Sequence, residues 1–204
     1  MIESSDTSQK ILTAAAEEFA RHGLAGARVD RIARLAGVNK AMLYYHFKSK
    51  ENLYQTIIDS RVQIIKAFFD NRLVDFETNP EDIFASIADF YVSIFRDQPP
   101  IGPIFLRELA EGGERLKKAF LETLTRYPAR RMKEILNEGM DDGRFRRLDP
   151  RHTVISFIGM NLFYLIMAPI VNLMMEIDDE DEFRSERSQA VVDLFMHGLL
   201  SRQP

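Results

Sequence analysis

The sequence predicts an all-α protein, with a three-helix head carrying a helix-turn-helix and a larger helical body behind it. Three observations carry that expectation. Apolar residues recur at helical spacing along nearly all of the 204-residue chain. The stretches are separated by short stop signals, among them His22-Gly23, Asn79-Pro80, Gly112-Gly113 and Asp142-Gly143, with no strand pattern between them. And the run from Val29 to Leu53 reads as helix, sharp turn, short helix and the start of a third helix.

Taken in order, the first helix is expected to begin near Asp6, with Gln9 as its capping-box partner. Ile11, Ala15 and Phe19 repeat every four residues and face inward, while Glu17, Glu18 and Arg21 face solvent. His22 and Gly23 end this helix, and His22 is given no further role. In the next helix Ile32, Ala33 and Ala36 share a face, and Gly37 stops it because glycine readily takes the left-handed conformation just past a helix end. Val38 turns inward and Asn39 is the N-cap of the following helix. At about 100° per residue, Leu43 and Phe47 fall together toward the core. Ala41, Met42 and Tyr45 fall opposite them, with Tyr44 and His46 on the flanks. So aromatic an outward face on so short a helix fits a nucleic-acid groove. Lys40 opens that helix, and Lys48 and Lys50 bracket Ser49, the N-cap of the third head helix. A backbone phosphate there would meet a lysine, free N–H groups and a positive helix end together.

The third helix runs on from Lys50 to about Phe76, with Leu53, Ile57, Ile64 or Ile65, Phe68, Phe69 and Leu73 on its apolar face. It therefore leaves the head (residues 1–54) and enters the body (55–204) with no flexible linker. Ile83, Ile87, Phe90, Tyr91, Ile94 and Phe95 mark the next helix, closed by Pro99-Pro100, and Ile104 to Ala110 a short one. A segment from Glu114 to Met140 should be kinked or divided by Pro128. Asp149-Pro150 supplies the N-cap and first residue of a long helix, apolar almost all round from Thr153 to Met175. It is long enough for a membrane span, but Ser156, Asn161, Pro169 and Asn172, and the lack of flanking basic anchors on its acidic side, argue against one. Such a helix needs cover on both sides, and a second subunit is the simplest cover for the second. Glu176 to Glu182 reads as a solvated acidic loop, and the last helix carries Val191, Val192, Phe195 and Leu199 on one face.

The net charge of −4 argues against indiscriminate coating of nucleic acid. Its distribution points to a local footprint: Arg21, Arg28, Arg31, Arg34, Lys40, Lys48 and Lys50 face Asp30 as the one acid between Arg21 and Lys50. The chain has no cysteine, so no disulfide framework and no thiolate metal site. The polar, acidic N-terminus is unlike a signal peptide, and a cytoplasmic location is expected. No histidine pair at metal spacing, no nucleotide loop and no nucleophile with a nearby base is present, so neither catalysis nor a cofactor nor a metal is expected.

The pattern Ile-Ala…Ala-Gly-Val-Asn-Lys-x-x-Leu-Tyr-Tyr-His-Phe-x-Ser-Lys-Glu-x-Leu, from Ile32 to Leu53, resembles the DNA-binding module of TetR-type transcriptional regulators. The resemblance covers about the first quarter of the chain. It implies a dimeric repressor that reads an inverted repeat in double-stranded DNA, joins its subunits through the last two long helices and binds a small molecule in the body. It also implies that Lys40, Tyr44, Tyr45, His46 and Lys50 meet the DNA, beside Ala41, Met42 and Lys48 from the helix geometry. The family often has Thr or Ser where Ala27 and Arg28 stand, capping the second helix and touching phosphate; here Arg28 takes over the phosphate contact and the cap is missing. Tyr91, Phe95, Phe105, Phe120, Tyr127, Phe157, Met160, Asn161 and Tyr164 are the candidates to line an apolar or aromatic effector site, against the plainer reading of each as core. Phe90 and Phe163 join them as aromatics, and Arg96, Arg107 and His152 as further polar candidates. A DNA-binding architectural or assembly factor of the same fold, without a small-molecule ligand, is the alternative.

Overall fold

Residues 2–72, 79–97, 100–123 and 127–200 are described by a computed structural model of the chain. They form ten helices: α1 (Ile2–Gly26), α2 (Val29–Leu35), α3 (Lys40–Phe47), α4 (Lys50–Arg72), α5 (Pro80–Asp97), α6 (Ile101–Ala110), α7 (Glu114–Thr123), α8 (Tyr127–Asp141), α9 (Pro150–Met174) and α10 (Glu180–Leu199). Among the described residues extended pairing is confined to one bridge, between Phe145 and Leu200. The all-α expectation therefore holds. The chain packs as two units, each made of two separated stretches: residues 1–66 with 99–125, and residues 67–98 with 126–204.

In the first unit, Ile11, Ala15 and Phe19 of α1 pack with Ile32 of α2, Leu43 and Phe47 of α3, and Leu53, Ile57, Ile58 and Val62 of α4. Phe19 meets the Tyr54 ring edge-on at 4.8 Å. Each fully buried side chain of this size contributes about 1.5–3 kcal/mol. α1 begins at Ile2, ahead of the predicted start, and Asp6 lies inside the helix, paired with Lys10 one turn on. The helical path breaks where predicted, at Gly23, whose φ of 65° suits glycine. α6 begins at Ile101, three residues before the predicted start, because Pro100 already has near-helical backbone angles. It packs on α1, and the Arg107 guanidinium donates to the Arg21 carbonyl at 3.1 Å. Next to it, Glu108 is 2% exposed and accepts from Arg115 at 3.3 Å. Burial, reinforced by the charges of Glu108 and Glu111, holds the Tyr54 phenol well above its ordinary pKa.

The second unit is centred on three rings, Phe84 of α5, Phe157 of α9 and Phe195 of α10, with centroids 4.7 to 5.0 Å apart. Phe84 meets Phe195 while Asp89, further along α5, meets Ser188, earlier on α10; the two helices therefore run antiparallel. α7 is described to Thr123 and α8 from Tyr127, with Pro128 in the first turn of α8; residues 124–126, on which the expected division falls, lie outside the described residues. Of the predicted signals, Leu73 and Phe76 of the α4 face, Pro99 and the Tyr127 side chain lie outside the described residues. Within the predicted acidic loop, Glu180 to Glu182 instead form the first turn of α10. The Asp179 side chain caps the N–H groups of Asp181 and Glu182, and acids at a helix N-terminus are favoured by its dipole.

α9 starts as predicted, with Asp149 accepting the Arg151 N–H at 2.8 Å and Pro150 at the first position. One side buries Val154, Phe157, Tyr164 and Ala168. The other leaves Ile155, Phe163, Ile170, Leu173 (82% exposed) and Met174 in solvent. By length and composition α9 could cross a membrane, yet it also buries Asn161, bonded to the Phe157 carbonyl, and Asn172, bonded to the Tyr164 hydroxyl.

A packing prediction arises at Gly139 of α8. Any Cβ there would overlap the ring of Phe145, a buried residue whose N–H donates to the Gly139 carbonyl at 2.7 Å. Gly139→Ala should lower stability by about 1–3 kcal/mol, measured by denaturant unfolding, because the ring has to leave its place.

Candidate nucleic-acid interface

α2, the turn and α3 owe their geometry to local chemistry. Gly37 has a φ of 67°, so the chain reverses there without a Cβ penalty. The Asn39 side chain then accepts the Met42 N–H at 2.8 Å and starts α3. Leu43 and Phe47 are buried, which fixes the rotation of α3 about its axis. Ala41, Met42, Tyr44 and Tyr45 consequently face outward, Tyr45 at 69% exposure. His46 is half-buried between Tyr45 and Phe47, and its Nε2 has no hydrogen-bond partner among the described residues.

The C-terminal end of α3 is built from lysines. Lys48 takes a positive φ of 65°, donates to the Tyr45 carbonyl at 2.9 Å and holds its ammonium 5.6 Å from the Tyr45 ring centre. Ser49 accepts the Asn52 N–H at 3.0 Å and so caps α4, as predicted. The Lys50 ammonium reaches back to the carbonyls of Ala25 and Ala27, at 3.4 and 3.3 Å. It thus sits at the carbonyl-bearing end of α1 as well as at the N-terminal end of α4.

The cap missing from Arg28 is supplied from another helix. Glu18 was expected in solvent, but it is 2% exposed, and its Oε1 accepts the Arg28 N–H at 3.1 Å. Its Oε2 lies 3.5 Å from the Arg31 guanidinium and 3.7 Å from His22. Arg31 also contacts His22 Nε2 at 2.8 Å, so His22 belongs to this cluster and is more than a helix end. A buried carboxylate of α1 thereby fixes the start of α2 and holds Arg31 in. The Arg28 side chain remains exposed, with no acid paired to it among the described residues. The sequence signal for Glu18 was indirect: a helix start with no cap of its own, and an acid one helix earlier.

Lys40, at the first position of α3, pairs with Asp30 at 3.0 Å, and that hydrogen bond and charge raise its pKa. A phosphate arriving at Lys40 would have to compete with Asp30 for it. Asp30→Asn should tighten DNA binding severalfold and steepen its salt dependence by roughly one phosphate contact. Titrations at several salt concentrations check both, and an unchanged slope would remove Lys40 from the phosphate set.

The candidate effector residues are divided between the units. Phe105 and Phe120 belong to the first, Phe105 packed against the core of the head and Phe120 partly exposed. Tyr91, Phe95, Phe157, Met160, Asn161 and Tyr164 belong to the second. Phe157 is one of the three central rings, and Tyr164 packs on Phe183 at 4.9 Å. Tyr91 is half-buried, and desolvation pushes its phenol up to about 12. Phe90 stacks on Phe68 at 4.0 Å. Arg96 pairs with Asp97, Arg107 with α1, and His152 is exposed.

A capped helix-turn-helix with an exposed aromatic recognition face and lysines at the following helix start defines a DNA-binding regulator. The family model for "Bacterial regulatory proteins, tetR family" matches residues 11–57, and that for "Tetracyclin repressor-like, C-terminal domain" matches residues 80–194. The chain belongs to the TetR family of transcriptional regulators. It is 26% identical to the HTH-type transcriptional regulator RutR of Escherichia coli (strain K12), over 94% of this chain and 90% of that one. It is 27% identical to the HTH-type transcriptional repressor NicS of Pseudomonas putida, over 95% and 92%. The fold is shared with the hemolysin II transcriptional regulator HlyIIR (TM-score 0.62, 23% identity, 98% and 99% covered). It is shared too with the transcriptional regulator FadR of Bacillus subtilis, solved with stearoyl-CoA (TM-score 0.70, 20% identity, 93% and 98% covered).

Proposed function

We propose that the chain is a ligand-responsive repressor that binds an inverted-repeat operator as a homodimer in the cytoplasm, with no catalytic activity of its own. Residues 1–54 read the DNA, and residues 55–204 hold a small, mainly apolar or aromatic effector and join the subunits. The observation that carries this reading is the rotation of α3, fixed by buried Leu43 and Phe47 so that Ala41, Met42, Tyr44 and Tyr45 face outward together. Met42 and Tyr45 then meet base edges, while Arg28, Lys40, His46, Lys48 and Lys50 lie where the flanking phosphates pass.

The dimer is supported by the exposed side of α9, where Ile155, Phe163, Ile170 and Met174 keep helical spacing and none of the described residues covers them. Ala190, Leu194 and Gly198 give α10 a matching exposed strip with small residues that admit close approach. The effector is supported by the match to the tetracyclin repressor-like C-terminal domain and by the stearoyl-CoA seen in the similarly folded FadR. α4 supports the coupling, since one uninterrupted helix starts at Lys50 and contributes residues to both units. An effector that favours the DNA-free arrangement weakens DNA binding by the same coupling free energy with which DNA weakens the effector. In a two-fold dimer a small tilt of α4 changes the distance between recognition helices, to which half-site spacing is sensitive.

Selection of binding sites from random DNA tests the reading. The expected product is a pair of two-fold-related half-sites, and substitutions at Met42 or Tyr45 should change the bases preferred within each half. Recovery of non-repeating sequences alone would overturn it.

A further inference from the structure

Along the antiparallel pair α5 and α10, the facing surfaces change character halfway. On α5 the inward residues Phe84, Ile87 and Ala88 give way to Asp89, Val92, Ser93 and Arg96, at the i, i+3, i+4, i+7 steps of one helical face. On α10 the run Asp181, Arg184, Ser185 and Ser188 follows the same steps and leads into the buried Val191, Val192 and Phe195. The two polar runs face each other across a groove of about 390 Å³ that they line together. Its inner end is closed by the buried Ser188 hydroxyl, which donates to Asp89 Oδ1 at 2.6 Å. Apolar residues at Ser93 and Ser185 would let the helices close together and gain burial, as they do around Phe84 and Phe195.

Among the side chains that line the groove, two guanidinium groups stand against two carboxylates. Arg96 is steadied by Asp97 at 3.0 Å, and Arg184 by Glu180 at 2.6 Å and Asp181 at 3.6 Å. A ligand of one sign would attract half of this set and repel the rest. A molecule carrying both a carboxylate and an ammonium can be complementary to all of it.

We infer that this groove binds a small zwitterion of the amino-acid type, its carboxylate held by Arg96 and Arg184 and its ammonium by Asp89 and Asp181. The Ser93 and Ser185 hydroxyls serve the remaining polar atoms. The volume lies within the range of small-molecule sites, roughly 300–1,000 Å³. On α10, Ser188 stands about 200° around the helix from Ala190, which lies on the strip assigned to subunit contact, so the groove stays open in the dimer. The site is separate from the apolar effector site proposed above and does not depend on DNA reading.

The test is calorimetric titration of the DNA-free, full-length protein with the proteinogenic amino acids, with acetate and methylammonium as half-ligands. A subset of the amino acids should bind, and neither half-ligand should bind at the same concentrations. Arg96→Ala and Asp181→Asn should each weaken binding about tenfold, the loss of one charge-assisted contact. Both side chains are largely exposed, so circular dichroism should be unchanged in these variants. Ser185→Phe should fill the groove and abolish binding; if that variant does not fold, Arg96→Ala decides. Absence of binding by every amino acid, equal binding of acetate, or binding indifferent to Arg96→Ala and Asp181→Asn would each overturn the inference.

Discussion

Glu18→Leu should destabilise the head by about 2–4 kcal/mol, a large fraction of the stability of a small domain. The substitution leaves Arg31 without its buried carboxylate and the Arg28 N–H without its acceptor. Glu18→Gln should cost less, since its amide oxygen can still accept from Arg28. Denaturant unfolding gives the magnitude, and hydrogen exchange at the Arg28 and Arg31 amides gives the location. A Glu18→Leu protein as stable as the parent, with unchanged exchange at Arg28, would mean that α2 does not depend on this cap.

Phe163→Glu should break the proposed homodimer. Phe163 lies midway along the outward side of α9, 61% exposed in the single chain, so the folded subunit tolerates the change. In a subunit interface the new carboxylate would be buried without a partner, which is strongly unfavourable. Sedimentation should show a monomer. Operator affinity should fall about 10²–10⁴-fold, because two linked half-site contacts become one. A Phe163→Glu protein that still sediments as a dimer would place the interface elsewhere.

Features decided by a few neighbouring residues were legible in the sequence. Asn39 and Ser49 as caps, Gly37 as the turn, and Leu43 and Phe47 as the buried side of α3 each follow from local backbone chemistry or helical spacing. Glu18 and Glu108 were not legible as buried residues. Both are charged residues on amphipathic helices, where the default is exposure, and both are buried because a basic partner arrives from another helix, Arg31 in one case and Arg115 in the other. Phe105 illustrates the same limit: helical spacing says that an aromatic is turned inward, but not which core it enters. The polar runs of α5 and α10 were written in the sequence at full helical spacing. Their meaning depends on the antiparallel pairing of two helices almost a hundred residues apart, which no local pattern encodes.

The contact of α6 with α1 bears on how the protein folds as it is made. The first unit takes residues 1–66 and 99–125, so its core includes Ile104, Leu116 and Ala119, which follow the helix-turn-helix by more than fifty residues. A nascent chain that has exposed only α1 to α4 presents a helix-turn-helix with part of its hydrophobic cover still to be synthesised. The intervening α5 belongs to the other unit and waits in turn for α9 and α10. Neither unit can complete itself from one uninterrupted stretch of chain, so native contacts of long sequence separation are obligatory in both, which slows folding relative to a simple bundle of sequential helices. During translation the head becomes fully assembled only when α7 has emerged, which ties the maturation of the DNA-binding surface to synthesis of chain far beyond it.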